Sequence, residues 1–253
     1  MTSKSTVEPV LHIDPLKRGR ITVKLIGTTP FYFNAMSAKA KRTLLIGGGK
    51  KTAAERRELK HHPEQEFRDS VGVQFANGPT ALGFPAPGVK QAMAEAALET
   101  PGAKKTAVNR LVFMPEPRIR IWGKPLLKMD VVRSADMNKT PDIRTRAYLP
   151  RWGAEIEIAF VTPALSVHSI ISLLANAGII VGIGDFRQGR GKGSFGTFAV
   201  AGDDLGEWAD AWKAVTAEGR MVQLAALAKP EAADEETQEL LAFLQAERAR
   251  RAA

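Results

Sequence analysis

Residues 155–183 read EIEIAFVTPALSVHSIISLLANAGIIVGI. Ile156, Ile158 and Phe160 alternate with Glu155, Glu157 and Ala159, the period of a strand that buries one face. Beyond Ser166, the residues Val167, Ile170, Ile171 and Leu174 recur at the spacing of one helix face, and Gly178 supplies the stop. Ile179 to Ile183 then returns as an apolar strand, which makes the stretch a strand–helix–strand unit. Upstream, Arg20 to Ile26 sets Ile21, Val23 and Leu25 against Thr22 and Lys24 as a first strand. Val89 to Leu98 is an alanine-rich helix, entered through Pro85, Pro87 and a turn at Gly88. Arg110 to Phe113, Arg118 to Trp122 and Leu126 to Val132 read as short strands parted by Pro and Gly. Two such halves predict an α+β fold, a ferredoxin-like antiparallel sheet with helices. Arg133 to Pro150 is polar and basic and is expected to be irregular.

The returning strand opens onto the densest run of glycine in the chain. Ile179 to Val200, IIVGIGDFRQGRGKGSFGTFAV, has glycines at 182, 184, 189, 191, 193 and 196, with Arg187, Arg190 and Lys192 among them. A backbone bare of side chains at Gly189, Gly191 and Gly193 approaches a polyanion closely, its N–H groups toward phosphate oxygens and its cations neutralising them. The expected role is a cradle for a nucleic-acid backbone near the C-terminal end of the core. A hairpin dressed with solubilising charge fits the same residues. Nucleotide sites fail on context: Gly191 to Gly196 spells G-x-G-x-x-G, but Thr-Phe-Ala-Val follows as a strand where a dinucleotide fingerprint opens a helix. A Walker A motif and a kinase residue set are absent.

Net charge is +9 over 253 residues, unevenly placed. Residues 1–60 carry 13 Lys/Arg against 4 Asp/Glu and residues 101–151 carry 12 against 4, whereas residues 201–253 carry 6 against 11. If the two basic blocks share a surface with the Gly-rich loop, they form a positive track for a phosphate backbone; scattered solubilising cations are the alternative. Within the blocks, Ser37 is placed to cap a short basic helix carrying Lys39, Lys41 and Arg42. Lys90 lies in the first turn of the alanine-rich helix. Arg144, Arg146, Tyr148 and Arg151 bunch before Trp152, a mixture suited to phosphate contact and base stacking. Trp152 equally reads as core.

The composition is 44% hydrophobic with no apolar run that spans a bilayer, which points to one globular unit away from membranes. We read a loose arm over 1–15, a core over 16–200 with basic insertions that include Lys50 to Lys60, and an acidic helical extension over 201–253. The extension ends in a helix made amphipathic by Leu240, Leu241 and Leu244. Met1 to Pro9 lacks the apolar core of a secretory signal, so a cytoplasmic location is expected. The chain has no cysteine, which excludes disulfides, thiolate catalysis and Cys-based metal sites. No nucleophile–base pair, paired carboxylate or metal cluster emerges, and neither a cofactor nor a metal is expected. Surface display or packing accounts for His12, His61, His62 and His168, although acid–base work by one of them stays open.

Phe84-Pro-Ala-Pro-Gly-Val-Lys90, and the run from Gly182-Ile-Gly-Asp-Phe-Arg187 to Gly196-Thr-Phe198, resemble two elements of the CRISPR RAMP superfamily. These are an early strand-to-helix turn and a C-terminal glycine-rich loop with interspersed basic residues. The likeness is greatest to the backbone subunit that polymerises along guide RNA, and it covers about half of the chain. The same paired segments are similar to those of small tailed-phage proteins, which implies a phage or prophage source. The resemblance implies an RRM-type core, single-stranded RNA or DNA as partner, and homo-oligomerisation along the strand. Backbone subunits that cut RNA use an aspartate in an N-terminal loop; the corresponding Thr28 to Met36 has Asn34 and no carboxylate, so a non-catalytic coating protein is the leading expectation. A metal-independent RNA endonuclease of the same superfamily, and a phage protein of single-stranded DNA binding, recombination or assembly, are the alternatives.

Overall fold

The computed structural model describes residues 15–47, 61–72, 74–133, 140–189, 193–202 and 204–252. In chain order the elements are β1 (Lys17–Gly27), β2 (Phe31–Tyr32), α1 (Ala38–Ile46), α2 (Pro63–Val71), β3 (Gly83–Pro85), α3 (Ala86–Ala96), α4 (Lys105–Leu111), β4 (Val112–Phe113), β5 (Arg118–Trp122), β6 (Leu126–Arg133), β7 (Pro141–Leu149), β8 (Gly153–Thr162), α5 (Val167–Ile180), β9 (Phe198–Ala201), a 3-10 turn (Gly206–Trp208), α6 (Ala209–Ala217), α7 (Arg220–Ala228) and α8 (Glu235–Ala252).

β1 and β8 form the spine of the main sheet, antiparallel from Lys17 opposite Thr162 to Ile26 opposite Gly153. β9 pairs with the other edge of β1, β5 and β4 with the other edge of β8, and β3 with β5, every pair antiparallel. The order β9-β1-β8-β5 with crossovers through α3 and α5 is the split β-α-β arrangement read from the alternation, an α+β ferredoxin-like class. Val23, Leu25, Ile156, Ile158, Phe160, Ile119 and Ile121 are buried on the inner face, in one cluster with Val89 and Met93 of α3 and Ile170 and Leu174 of α5. The outer face carries the interleaved polar residues. Arg18, Arg20 and Thr22 are exposed there, and α6 covers one end, with Trp212 against Trp122 at 5.3 Å.

Two local expectations are corrected. Gly178 does not stop α5, which runs on to Ile180, and the strand expected at 179–183 is absent; the returning strand is β9, after the Gly-rich segment. Gly178 is there for close approach: a Cβ at that position would collide with the carbonyl oxygen and ring of Phe198. A short apolar run such as Ile-Ile-Val is compatible with either a strand or a buried helix end, and here the helix period continues through Ala177. The second correction is β7, within the stretch expected to be irregular. It pairs with β6 from Arg133 opposite Pro141 to Leu126 opposite Tyr148, and with β2 through Tyr148 and Leu149, giving a second, three-stranded sheet.

The second sheet rests on α2, whose buried Phe67 and Ser70 face it; Ser70 Oγ accepts the Ala147 N–H at 2.8 Å. The residues after 201 are docked on both sheets. Gln223 is fully buried in α7, its Oε1 accepting the N–H groups of Ala81 and Leu82 and its Nε2 donating to the carbonyls of Ile121 and Gly123. Thr237 of α8 accepts the Met129 N–H at 3.2 Å, and Leu240 and Leu241 pack on the core. No helix among the described residues is long and apolar enough to cross a membrane.

Candidate nucleic-acid interface

The described parts of the Gly-rich segment, 182–189 and 193–196, are folded on each other and on Pro30 and Tyr32 at β2. Ile183 N–H donates to Gly196 O, Phe195 N–H to Phe186 O, Asp185 N–H to Tyr32 O and Gly196 N–H to Pro30 O, all between 2.8 and 3.2 Å. A Cβ at Gly193 would collide with the Phe186 carbonyl, and one at Gly196 with that of Ile183. Gly189 lies against Val181, its N–H given to the Val181 carbonyl at 3.0 Å. Gly189 and Gly193 were expected to open their backbone to phosphate. Gly189 is exposed and Gly193 half-buried, and at both the missing side chain lets two stretches of this chain touch. Arg190, Gly191 and Lys192 lie outside the described residues, as do His12 and the insertion at Lys50 to Lys60.

Arg146 also departs from its expected role. It is 2% exposed; Nη1 donates to Asp185 at 2.6 Å and Nη2 to Asp130 at 2.8 Å. The guanidinium lies 4.9 Å from the Tyr32 ring centre and 4.3 Å from that of Phe186. Two carboxylates and two rings leave it no approach to a phosphate. A buried arginine so paired fixes geometry, here the start of the Gly-rich segment against the second sheet. Tyr148 is half-buried beside it, its ring 5.0 Å from that of Tyr32. Burial above all, and the Asp130 charge next, push both phenols above their ordinary pKa of 10.0.

The cations that do converge come from three separate stretches. Lys41 of α1, Arg118 at the start of β5 and Arg187 of the Gly-rich segment line one cleft of about 360 Å³, with Asn34, Phe84 and Asp185. Ser37 sets the direction of α1 by capping it, its Oγ accepting the Ala40 N–H at 3.2 Å, and this holds Lys41 at the cleft. Arg187 donates to the Gly184 carbonyl at 3.3 Å and reaches Glu95 at 3.9 Å. Asp185, the carboxylate on the lining, is the one held by Arg146, so the cleft is net positive. Arg118 was missed in the sequence, yet the alternation Arg118-Ile-Arg120-Ile gave the signal by placing both arginines on one strand face.

The remaining candidates lie elsewhere. Arg42 is exposed on α1, which also carries Lys39. Lys90 donates to the Asn109 carbonyl at 2.9 Å and lies 5.7 Å from the Phe113 ring centre, away from the cleft lining. Arg144 is exposed on β7, and Arg151 is exposed but paired with Glu218 at 2.6 Å. Trp152 is core: 1% exposed, with its indole N–H given to the Thr29 carbonyl at 2.8 Å. His61 sits between Glu66 at 3.1 Å and Asp142 at 3.2 Å, His168 is exposed on α5, and no histidine lines the cleft among the described residues.

No protein-family model matches the chain, and no curated protein does. Among solved structures it is similar to Cmr6 from Pyrococcus furiosus, with 8% identity and a TM-score of 0.37 over 72% of this chain and 97% of that one. No residue role is transferred across so distant a likeness.

Proposed function

We infer that the protein is a non-catalytic, cytoplasmic nucleic-acid-binding protein that grips the phosphate backbone of a single strand, RNA in preference to DNA, with copies arrayed along it. The observation that carries this reading is the convergence of Lys41, Arg118 and Arg187 on one cleft beside the Gly-rich segment. Arg187 is also held by Gly184 and Glu95, but three cations 77 and 69 residues apart in the chain, brought to one cleft, concentrate positive charge where an anion would sit. Arg42, exposed on the same helix as Lys41, extends the positive edge. The glycine pattern's likeness to RAMP backbone subunits supports the same choice of ligand, and the RNA preference would rest on the 2′-hydroxyl.

The test is fluorescence anisotropy of labelled single-stranded RNA and DNA over a range of salt. Log affinity is expected to fall linearly with log salt. Lys41→Ala and Arg118→Ala should each lower the slope by about one, and the protein should keep its fold because both side chains are at the surface. A flat salt response, or no binding at low salt, would refute the reading. Shortening of the RNA in the presence of EDTA would replace it with the endonuclease.

A further inference from the structure

A second cavity, of about 530 Å³, opens on the same Gly-rich segment and shares no lining residue with the cationic cleft. Gln188, next in the chain to Arg187, lines it, as do Ser194 and Thr197 from the other limb of the segment. Ala175 and Ile179 of α5, Phe198 to Val200 of β9 and Trp208 of the 3-10 turn complete an apolar wall, with Thr28 and Thr29 beside them. The volume falls in the range of small-ligand sites. Among the described residues the lining of the cavity has one ionisable side chain, Glu207, and its other polar groups are hydroxyls and an amide. It suits a flat, neutral group that both stacks and hydrogen-bonds.

The polar wall has a donor to spare. Thr197 Oγ1 donates to Thr29 Oγ1 at 2.9 Å, and Thr197 N–H donates to the same oxygen at 3.0 Å. A hydroxyl has one proton. Thr197 has spent its own, so in the 2.7 Å contact with Thr28 it is Thr28 that donates. Thr29 Oγ1 accepts twice, and its proton has no partner within the trio. Trp208 is half-buried and its indole packs against no other aromatic ring among the described residues. A flat face, a free hydroxyl donor, the Gln188 amide and the Glu207 carboxylate together match the edge and face of a nucleobase.

We propose that this cavity is a base pocket: a nucleobase of the bound strand turns off the backbone, stacks on Trp208 and accepts a hydrogen bond from Thr29, while its phosphates occupy the cationic cleft. The pocket deepens the single-strand reading and rests on it. Arg187 and Gln188, adjacent residues, face the two cavities, so one strand passing over this turn meets both.

The experiment titrates the full chain with two labelled strands of about 20 nucleotides at one salt concentration: oligouridine, and an abasic strand of equal length and charge. The parent should bind the base-bearing strand about tenfold tighter, the size of one aromatic stacking contact. Trp208→Ala should reduce this preference to about twofold or less while leaving affinity for the abasic strand unchanged. Thr29→Val, which keeps the shape of the side chain, should weaken the preference to a smaller extent. A Trp208→Ala protein, folded by circular dichroism, that retains the full preference overturns the pocket, and so does a parent that does not distinguish the two strands. Failure of both strands to bind overturns the single-strand reading itself. Where Trp208→Ala does not fold, photocrosslinking of a 5-bromouridine strand to the parent decides the matter: a crosslink in the peptide carrying Trp208 supports the pocket, and a map without one overturns it.

Discussion

Arg146 Nη1 meets Asp185 Oδ2 at 2.6 Å across 39 residues of chain, and through this pair the β6–β7 hairpin holds the start of the Gly-rich segment. The other arm of the guanidinium is bound to Asp130 at 2.8 Å, so one side chain joins two carboxylates that would otherwise repel each other. Phe186, the residue after Asp185, lies against the same guanidinium and adopts φ of 53°, a conformation that a non-glycine residue holds only when its surroundings impose it. The placement of Arg187 at the cleft follows from this anchor.

Arg146→Ala should therefore destabilise the fold, though by less than the ~3–5 kcal/mol of a fully buried pair, because Asp130 and Asp185 keep part of their contact with water. The readout is the urea midpoint. Arg146→Lys restores the charge but not the two-armed geometry, and its midpoint should lie between those of the parent and the alanine variant. An alanine variant as stable as the parent would deny the pair any anchoring role.

The chain has two tyrosines, Tyr32 and Tyr148, and both belong to this cluster. Burial first and the Asp130 charge second raise both phenol pKa values above 10.0. With the folded value above the unfolded one, the stabilisation is complete below pH 10 and is lost as pH rises past it, because the unfolded chain ionises while the folded one does not. Ultraviolet titration of phenolate should show the folded protein resisting ionisation at the pH where free tyrosine is half ionised. Stability should fall as the pH climbs above that point, and Tyr32→Phe should flatten the fall. A phenolate curve centred at the ordinary value in the folded protein would contradict the buried environment.

The main sheet was legible because its strands bury one face and wet the other; Ile21, Val23 and Leu25 against Thr22 and Lys24 admit no other period. β7 was not legible. Its buried positions include Thr145 and Arg146; the partners of Arg146 come from β6 and the Gly-rich segment, and polarity without those partners in view resembles a loop. The glycines carried a double meaning for the same reason: composition registers the missing side chain, whereas only the tertiary structure shows that the neighbour at Gly193 is Phe186 of the same chain. Of the site, Lys41 and Arg187 were found through clustered charge. Arg118 was passed over because each arginine in a short strand is, alone, an ordinary outward-facing residue.

Gly178 offers a test of the close approach between α5 and β9. Alanine improves helix propensity by about 1 kcal/mol at an interior position. Its Cβ, however, would strike the Phe198 carbonyl, and overpacking of this kind costs about 1–3 kcal/mol. The collision with backbone should prevail, so Gly178→Ala is expected to lower the melting temperature. A rise would mean that helix and strand part without cost and that the glycine marks nothing structural.

Assembly along a strand is the last expectation, and the structure narrows how it would be tested. One small domain covers only a few nucleotides, so coating a long strand requires several copies side by side. The leucine face of the C-terminal helix is not spare, since Leu240 and Leu241 pack on the core and Thr237 binds the β6 backbone. Leu240→Asp should accordingly destabilise the monomer, seen as a lower melting temperature in the absence of nucleic acid, instead of selectively disrupting a multimer. With the parent protein, mass photometry on single strands of increasing length should show complexes growing in steps of one protomer, 27.4 kDa each. A fixed one-to-one or two-to-one complex on strands of about 60 nucleotides, several times the site size of one small domain, would refute coating and leave a discrete binder.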